Sequence, residues 1–144
     1  MDLVHANQVI EHVSDVDLLT SEMMRVLKPG GTFVVSTENG SSWHNIFASI
    51  LGWQMFSLTN MSAKKAGVGN PMALLRNQPI EFGTWTHKVI FNYRGLIEFF
   101  QIHGFVDLQV KGAGYYPLPS KFACLDPRHA HFLTIRGRKP KNEN

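Results

Sequence analysis

Glu38, His44 and His87 are side chains of types that can take up a proton during a transfer reaction. A carboxylate or an imidazole within hydrogen-bond reach of a reacting group is a common general base. A second polar set, Asn7, Gln8, Glu11 and His12, follows a short apolar run near the start of the chain. Glu11 and His12 have a plain structural reading, as groups that fasten a loop to the following helix. Asp126, His129 and His131 carry metal-ligating types, and alternate residues of a strand share a face. No third ligand of fixed geometry accompanies the two histidines, so no metal is expected. Cys124 is the single cysteine, and nothing in its surroundings marks a reactive thiolate. One cysteine forms no internal disulfide, which favours a reducing compartment, with the cytoplasm as the expectation.

The elements that must position these groups can be read from local pattern. Asp2 to Ala6 reads as a short buried strand that ends in the Asn7-Gln8 loop. Ser14 is placed to cap a helix, with Asp17 in its first turn and Val16, Leu19, Met23, Val26 and Leu27 at helical spacing. Lys28 suits the helix end, and Pro29, Gly30 and Gly31 stop it. Thr32 to Thr37 is β-rich and charge-free, as expected of a strand covered on both faces. Strand, helix and strand within so short a stretch make a parallel crossover unit, so the fold class is α/β.

Regularity weakens between Glu38 and Thr86. Trp43 to Leu51 reads as a helix, and Gly67, Gly69, Asn70, Pro71 and Pro79 punctuate the stretch beyond it. An insertion of this length is often functional. Asn92 then caps a helix carrying Leu96, Ile97, Phe99, Phe100 and Ile102, which Gly104 closes. Val106 to Lys111 and His131 to Arg138 alternate as half-buried strands, separated by a link with Pro117, Pro119 and Pro127. Residues 1–139 form one domain, and 140–144 are expected to be a disordered tail.

Composition narrows the classes of function. Arg136, Arg138, Lys139 and Lys141 against Glu143 account for the whole net charge of +3. A neutral body with a short basic tail lacks the stripe of phosphate contacts that nucleic acid requires. Residues 39–63 contain no Asp, Glu, Lys or Arg, yet polar residues interrupt them too often for a membrane span. The first residues do not have the pattern of a signal peptide.

Together, Asp2-Leu3-Val4 leading to Ile10-Glu11-His12-Val13, then Arg25-Val26-Leu27-Lys28-Pro29-Gly30-Gly31 and a strand, resemble the second half of a class I S-adenosylmethionine-dependent methyltransferase. The resemblance continues in Thr86-His87, Phe91-Asn92, Leu96 and the helix that ends at Gly104-Phe105. It implies a partial Rossmann-like fold with a mixed sheet, strands 4-5-7-6 of the family order, the seventh antiparallel, and helices on its faces. The family's glycine-rich turn after its first strand and its ribose-binding acidic residue have no counterpart here. Gly67-Val68-Gly69 and Gly112-Ala113-Gly114 lack the strand-to-helix context such a turn needs.

The resemblance further implies S-adenosylmethionine as cofactor, with Asn7, Gln8 and His12 on its surviving side. It implies methyl transfer to a small-molecule acceptor, His87 standing near that acceptor and Glu38 and His44 as further candidate bases. The insertion at 38–86 becomes an acceptor-side lid, its pocket lined by Trp43, Phe47, Trp53, Phe56, Phe82 and Trp85. The missing strands imply a homodimer or a separate N-terminal half as partner. The alternative is a catalytically inactive, truncated module that pairs through a bare sheet edge.

Overall fold

The computed structural model describes residues 1–74, 76–78 and 86–141. Among the described residues four strands form one sheet in the order β1-β2-β4-β3. β1 (Leu3–Asn7) and β2 (Thr32–Glu38) pair in parallel, and α1 (Val16–Val26) connects them. β4 (Phe132–Arg138) runs antiparallel to β2 from Glu38↔Phe132 to Thr32↔Arg138, and β3 (Val106–Ala113) pairs antiparallel with β4. This is the strand order 4-5-7-6 implied by the resemblance.

α1 begins one residue later than the spacing predicts. Asp15, not Ser14, is its N-cap, accepting a 2.8 Å hydrogen bond from the Leu18 amide. A carboxylate satisfies the orphan amide and also complements the positive end of the helix dipole, so it outcompetes a serine one residue earlier. At the other end Gly30 adopts φ +77°, the left-handed turn that lets the chain reverse into β2. α2 (Trp43–Ile50) follows β2, a 3-10 turn covers Phe56–Leu58, and α3 (Tyr93–Ile102) precedes β3. Asn92 stands at the cap position of α3 without a side-chain capping bond.

The core lies on one face of the sheet. Phe33 and Val35 of β2 and Leu133 and Ile135 of β4 meet Met23 and Leu27 from the α1 side and Leu96 and Phe100 of α3. The Phe33 ring stacks on Phe100 with centroids 4.5 Å apart, and Phe105 tilts against it at the same separation. Gly137 makes this possible, because a Cβ there would lie 2.4 Å from Leu108 Cδ2 and 2.5 Å from Phe33 Cε1. The opposite face of β2, with Thr32, Val34 and Ser36, is only half-buried, so the strand expected to be covered on both faces is fully covered on one.

β1 also departs from the expected buried strand. It is an edge strand with Leu3 56% exposed, and its burial alternates along its length. β3 is longer than predicted, and Asp107 at φ +54° marks an irregularity where its pairing with β4 shifts between Val106 and Gln109. Among the described residues no helix is long and apolar enough to cross a membrane. Of the predicted tail, residues 142–144 lie outside the described residues.

Candidate active site

Open α/β sheets bind ligands at the carboxyl ends of their parallel strands, and the ends of β1 and β2 carry most of the chain's polar groups of interest. The chain leaves β1 through Asn7, which is exposed, into Gln8, whose amide donates to Ser36 O at 2.9 Å. Gln8 has φ +53°, a conformation that a non-glycine residue holds only when its surroundings impose it.

Three residues later the loop buries Glu11 completely. One carboxylate oxygen, Oε2, accepts from Thr37 Oγ1 at 3.0 Å, and the Glu11 carbonyl accepts from the Lys88 amide at 2.6 Å. Glu11 therefore fastens the loop to β2 and to the segment after residue 86, not to the next helix. Its second oxygen, Oε1, is buried and has no hydrogen-bond partner among the described residues.

The Lys88 to Glu11 bond brings His87 beside His12. Their rings meet edge to face with centroids 4.7 Å apart. His12 Nδ1 pairs with Thr86 O at 3.3 Å, and His87 Nδ1 with Ser57 O at 2.5 Å. A carbonyl oxygen only accepts, so each bond puts the proton on Nδ1 and leaves the lone pair on Nε2. Ser57 is itself held firmly. Asn45 Nδ2 donates to Ser57 Oγ at 2.8 Å, and Asn45 Oδ1 accepts from the Ser57 amide at 3.2 Å. The same Asn45 Nδ2 donates to Asn39 O at the end of β2, so α2 ties the His87 anchor to the sheet.

Glu38 and His44 belong to another group, built around His131. The His44 and His131 rings lie 4.3 Å apart, and Phe56 and Tyr116 close against His44. Burial, with the His131 ring adding to it, pushes the His44 pKa down to about 4, and its Nδ1 has no partner among the described residues. His131 is pushed down as well, chiefly by burial, and the nearby Glu38 carboxylate partly offsets this. His44 is thus neutral at pH 7 and takes a proton less readily than an ordinary imidazole.

These burials make stability depend on pH. The folded pKa of His44 lies below the unfolded value, so its contribution is complete above about pH 6.5 and is lost as pH falls towards 4. The expected loss is about 2 kcal/mol between pH 7 and pH 5. Urea midpoints at the two pH values, compared with those of His44→Leu, should show a smaller decline in the variant.

Asp126, His129 and His131 do not form a strand-based set. His129 lies in a 3-10 turn, Pro127–His129, while β4 begins only at Phe132. His129 Nδ1 pairs with Asp126 Oδ2 at 2.8 Å and its ring stacks on Trp43, whereas His131 stacks on Phe132. Asp126 also accepts from Tyr115 Oη, and Trp43 Nε1 donates to that same hydroxyl at 2.9 Å. Trp43 is therefore committed to a structural network. Phe47 meets Trp53 edge to face, and Phe82 and Trp85 lie outside the described residues.

Sequence reasoning placed His12 and His87 on separate sides of the chemistry, and the structure brings them together with Glu11. No local signal in the sequence pairs them, because the burial of Glu11 and its ties to Thr37 and the 86–88 segment are tertiary.

Comparison with known proteins agrees with this architecture. The family profile described as "Methyltransferase domain" matches residues 1–35. The ubiquinone biosynthesis O-methyltransferase of Bradyrhizobium sp. (strain ORS 278) is 45% identical over 51 residues, which cover 35% of this chain and 20% of that protein. A probable S-adenosylmethionine-dependent methyltransferase of Mycolicibacterium smegmatis is 54% identical over 39 residues, 27% of this chain and 15% of that one. The chain thus matches a fifth or less of the length of these curated relatives. Among solved structures, a methyltransferase from Thermotoga maritima, described as a possible histamine N-methyltransferase, aligns over 96% of this chain and 56% of its own, with a TM-score of 0.58 and 19% identity. The profile match covers β1, α1 and the start of β2, and with the sheet order in agreement the chain is similar to the class I S-adenosylmethionine-dependent methyltransferases and shares their fold.

Proposed function

We propose that this chain serves S-adenosylmethionine-dependent methyl transfer to a small-molecule acceptor, supplying the acceptor side and one wall of the cofactor site. The observation that carries the reading is the grouping of Gln8, Glu11, His12 and His87 where β1 and β2 end. The described residues fit the cofactor in part. Asn7 and the constrained Gln8 present a strand end along which it can lie, but among the described residues no glycine-rich strand-to-helix turn is placed for its amino-acid portion, and the carboxylate that ends β2, Glu38, lies beside His131. Asn7, Gln8 and His12 would hold its near side.

The cofactor, when bound, supplies a methyl group already activated on a sulfonium, so alignment of donor and acceptor contributes most of the acceleration. The protein's remaining task is the acceptor's proton. His44 is a weak base in its dry contact with Phe56, and Glu38 lies beside His131. His87 has its tautomer set by Ser57 O and is only half-buried, so we assign the proton-accepting lone pair to its Nε2. Phe47, Trp53 and Phe56 supply apolar surface for the lid proposed at 38–86. Equilibrium dialysis of the chain against labelled S-adenosylmethionine tests the reading. Saturable binding displaced by S-adenosylhomocysteine supports it, and absence of binding at millimolar ligand contradicts it.

One observation favours a second reading, pairing with another chain through β1. The outer edge of β1 has no strand beside it among the described residues, and its Leu3 is 56% exposed. An apolar open edge is a template for strand addition. Sedimentation equilibrium at tens of micromolar is expected to give a dimer that Val4→Pro shifts towards monomer. A monomer under those conditions would contradict the pairing.

A further inference from the structure

We propose that Glu11, His12 and His87 form a binding site for one divalent transition cation of the zinc class. Each residue offers one ligand atom, and the three atoms lie within 4.8 Å of one another. The carboxylate is the most telling member. Glu11 is fully buried, Thr37 holds Oε2, and Oε1 has no hydrogen-bond partner among the described residues. A buried carboxylate oxygen without a partner is costly, and coordination of a cation is one of the few ways to satisfy it.

The two imidazoles are prepared in the same sense. Each donates its Nδ1 proton to a backbone carbonyl, Thr86 O for His12 and Ser57 O for His87, which orients the ring and leaves Nε2 as a ligand. Metal-bound histidines almost always make such an outer hydrogen bond. The backbone is fixed as well, since the Lys88 amide bonds the Glu11 carbonyl and ties the two ligand-bearing segments together. Ligands about 2.0–2.1 Å from zinc lie roughly 3.3 Å apart in a tetrahedron. Closing from the present spacing therefore requires shifts of about an ångström, within the reach of side-chain torsions.

Two imidazoles and one carboxylate suit zinc and its first-row neighbours better than magnesium or calcium, which take oxygen ligands. Three protein ligands also leave a fourth position open. Cation binding does not depend on the methyl-transfer reading; only its consequence rests on that reading. A seated cation takes up the His87 Nε2 lone pair, so His87 then acts through the metal. An acceptor oxygen at the open position has its pKa lowered, the proton passing to solvent.

The test is calorimetric titration of the chelator-treated chain with Zn²⁺ alone, paralleled by Co²⁺ absorption in the visible. One Zn²⁺ per chain with a Kd in about the micromolar range is expected. Glu11→Gln and His87→Ala should each weaken binding about tenfold or more and abolish the Co²⁺ bands, while His129→Ala leaves both unchanged. Circular dichroism and urea midpoints establish that each variant is folded, and His87→Ala, at a half-buried position, keeps the test available if Glu11→Gln is unstable. Absence of stoichiometric binding at about 100 µM Zn²⁺ would overturn the proposal. So would binding that both substitutions leave intact and His129→Ala removes. Cofactor dialysis on the same samples separates the two readings: binding of cofactor without zinc refutes the cation site alone, and zinc without cofactor refutes the transferase reading alone.

Discussion

Replacing Phe33 by alanine is expected to lower the unfolding free energy by about 3–5 kcal/mol. The ring is fully buried, stacks on Phe100 and meets Phe105, both with centroids 4.5 Å away. It also fills the space that Gly137 opens in β4. The residues around it come from both helices and both central strands, so no single neighbour can collapse into the void. With domain stabilities of about 5–15 kcal/mol, such a loss is a large fraction of the whole. Urea unfolding should show a lower midpoint with an unchanged slope. A loss below about 1 kcal/mol would mean that the sheet and helices do not share this core.

The second large effect is expected in turnover. His87→Ala should reduce methyl transfer by about 10²- to 10⁴-fold, the usual contribution of a positioned proton acceptor. Release of S-adenosylhomocysteine in the presence of a panel of small hydroxyl- and amine-bearing acceptors provides the measurement. His87→Gln is the sharper variant, because an amide can still donate to Ser57 O but offers no basic lone pair. Retention of activity in His87→Gln would reduce His87 to a structural tie between the 86–88 segment and the 3-10 turn. Loss in both variants, with little change in urea midpoint, fits a role in the chemistry, whether His87 acts directly or through a cation.

Much of the frame was legible because punctuation and periodicity are local signals. Lys28-Pro29-Gly30-Gly31 marks the end of α1 and the turn into β2, and the apolar spacing of Leu96 and Phe100 marks the buried stripe of α3. The sheet order came from the resemblance, since no local pattern states that β4 lies between β2 and β3. Where reading by pattern erred, competition or context decided. Asp15 and Ser14 are both good caps, and the choice depends on which side chain reaches the Leu18 amide. β1 has an apolar composition yet stands at an edge, because burial depends on neighbours and not on the strand itself.

The site was less legible for the same reason. His12 and His87 come from distant segments, and tertiary bonds place them in contact: the Lys88 and Val89 amides to the Glu11 carbonyl, and His12 Nδ1 to Thr86 O. The sequence marks Glu11 as a loop fastener, and this accounts for one oxygen, the one Thr37 satisfies. The state of the other oxygen can be seen only in three dimensions. Likewise Asn39 and Asn45 look like ordinary loop and helix residues, but both are fully buried and link β2, α2 and Ser57. Buried amides of this kind specify a site because leaving them unpaired is costly.

The most direct test of the central claim is a titration of the isotopically labelled chain with S-adenosylhomocysteine, monitored by ¹H–¹⁵N correlation spectra. Saturable shifts concentrated on the amides of Gln8 to Val13 and of the β2 end at Thr37 to Asn39 are the expected result. An absence of shifts at several millimolar ligand, or shifts confined to the opposite end of the sheet around Gly30 and Arg138, would contradict it.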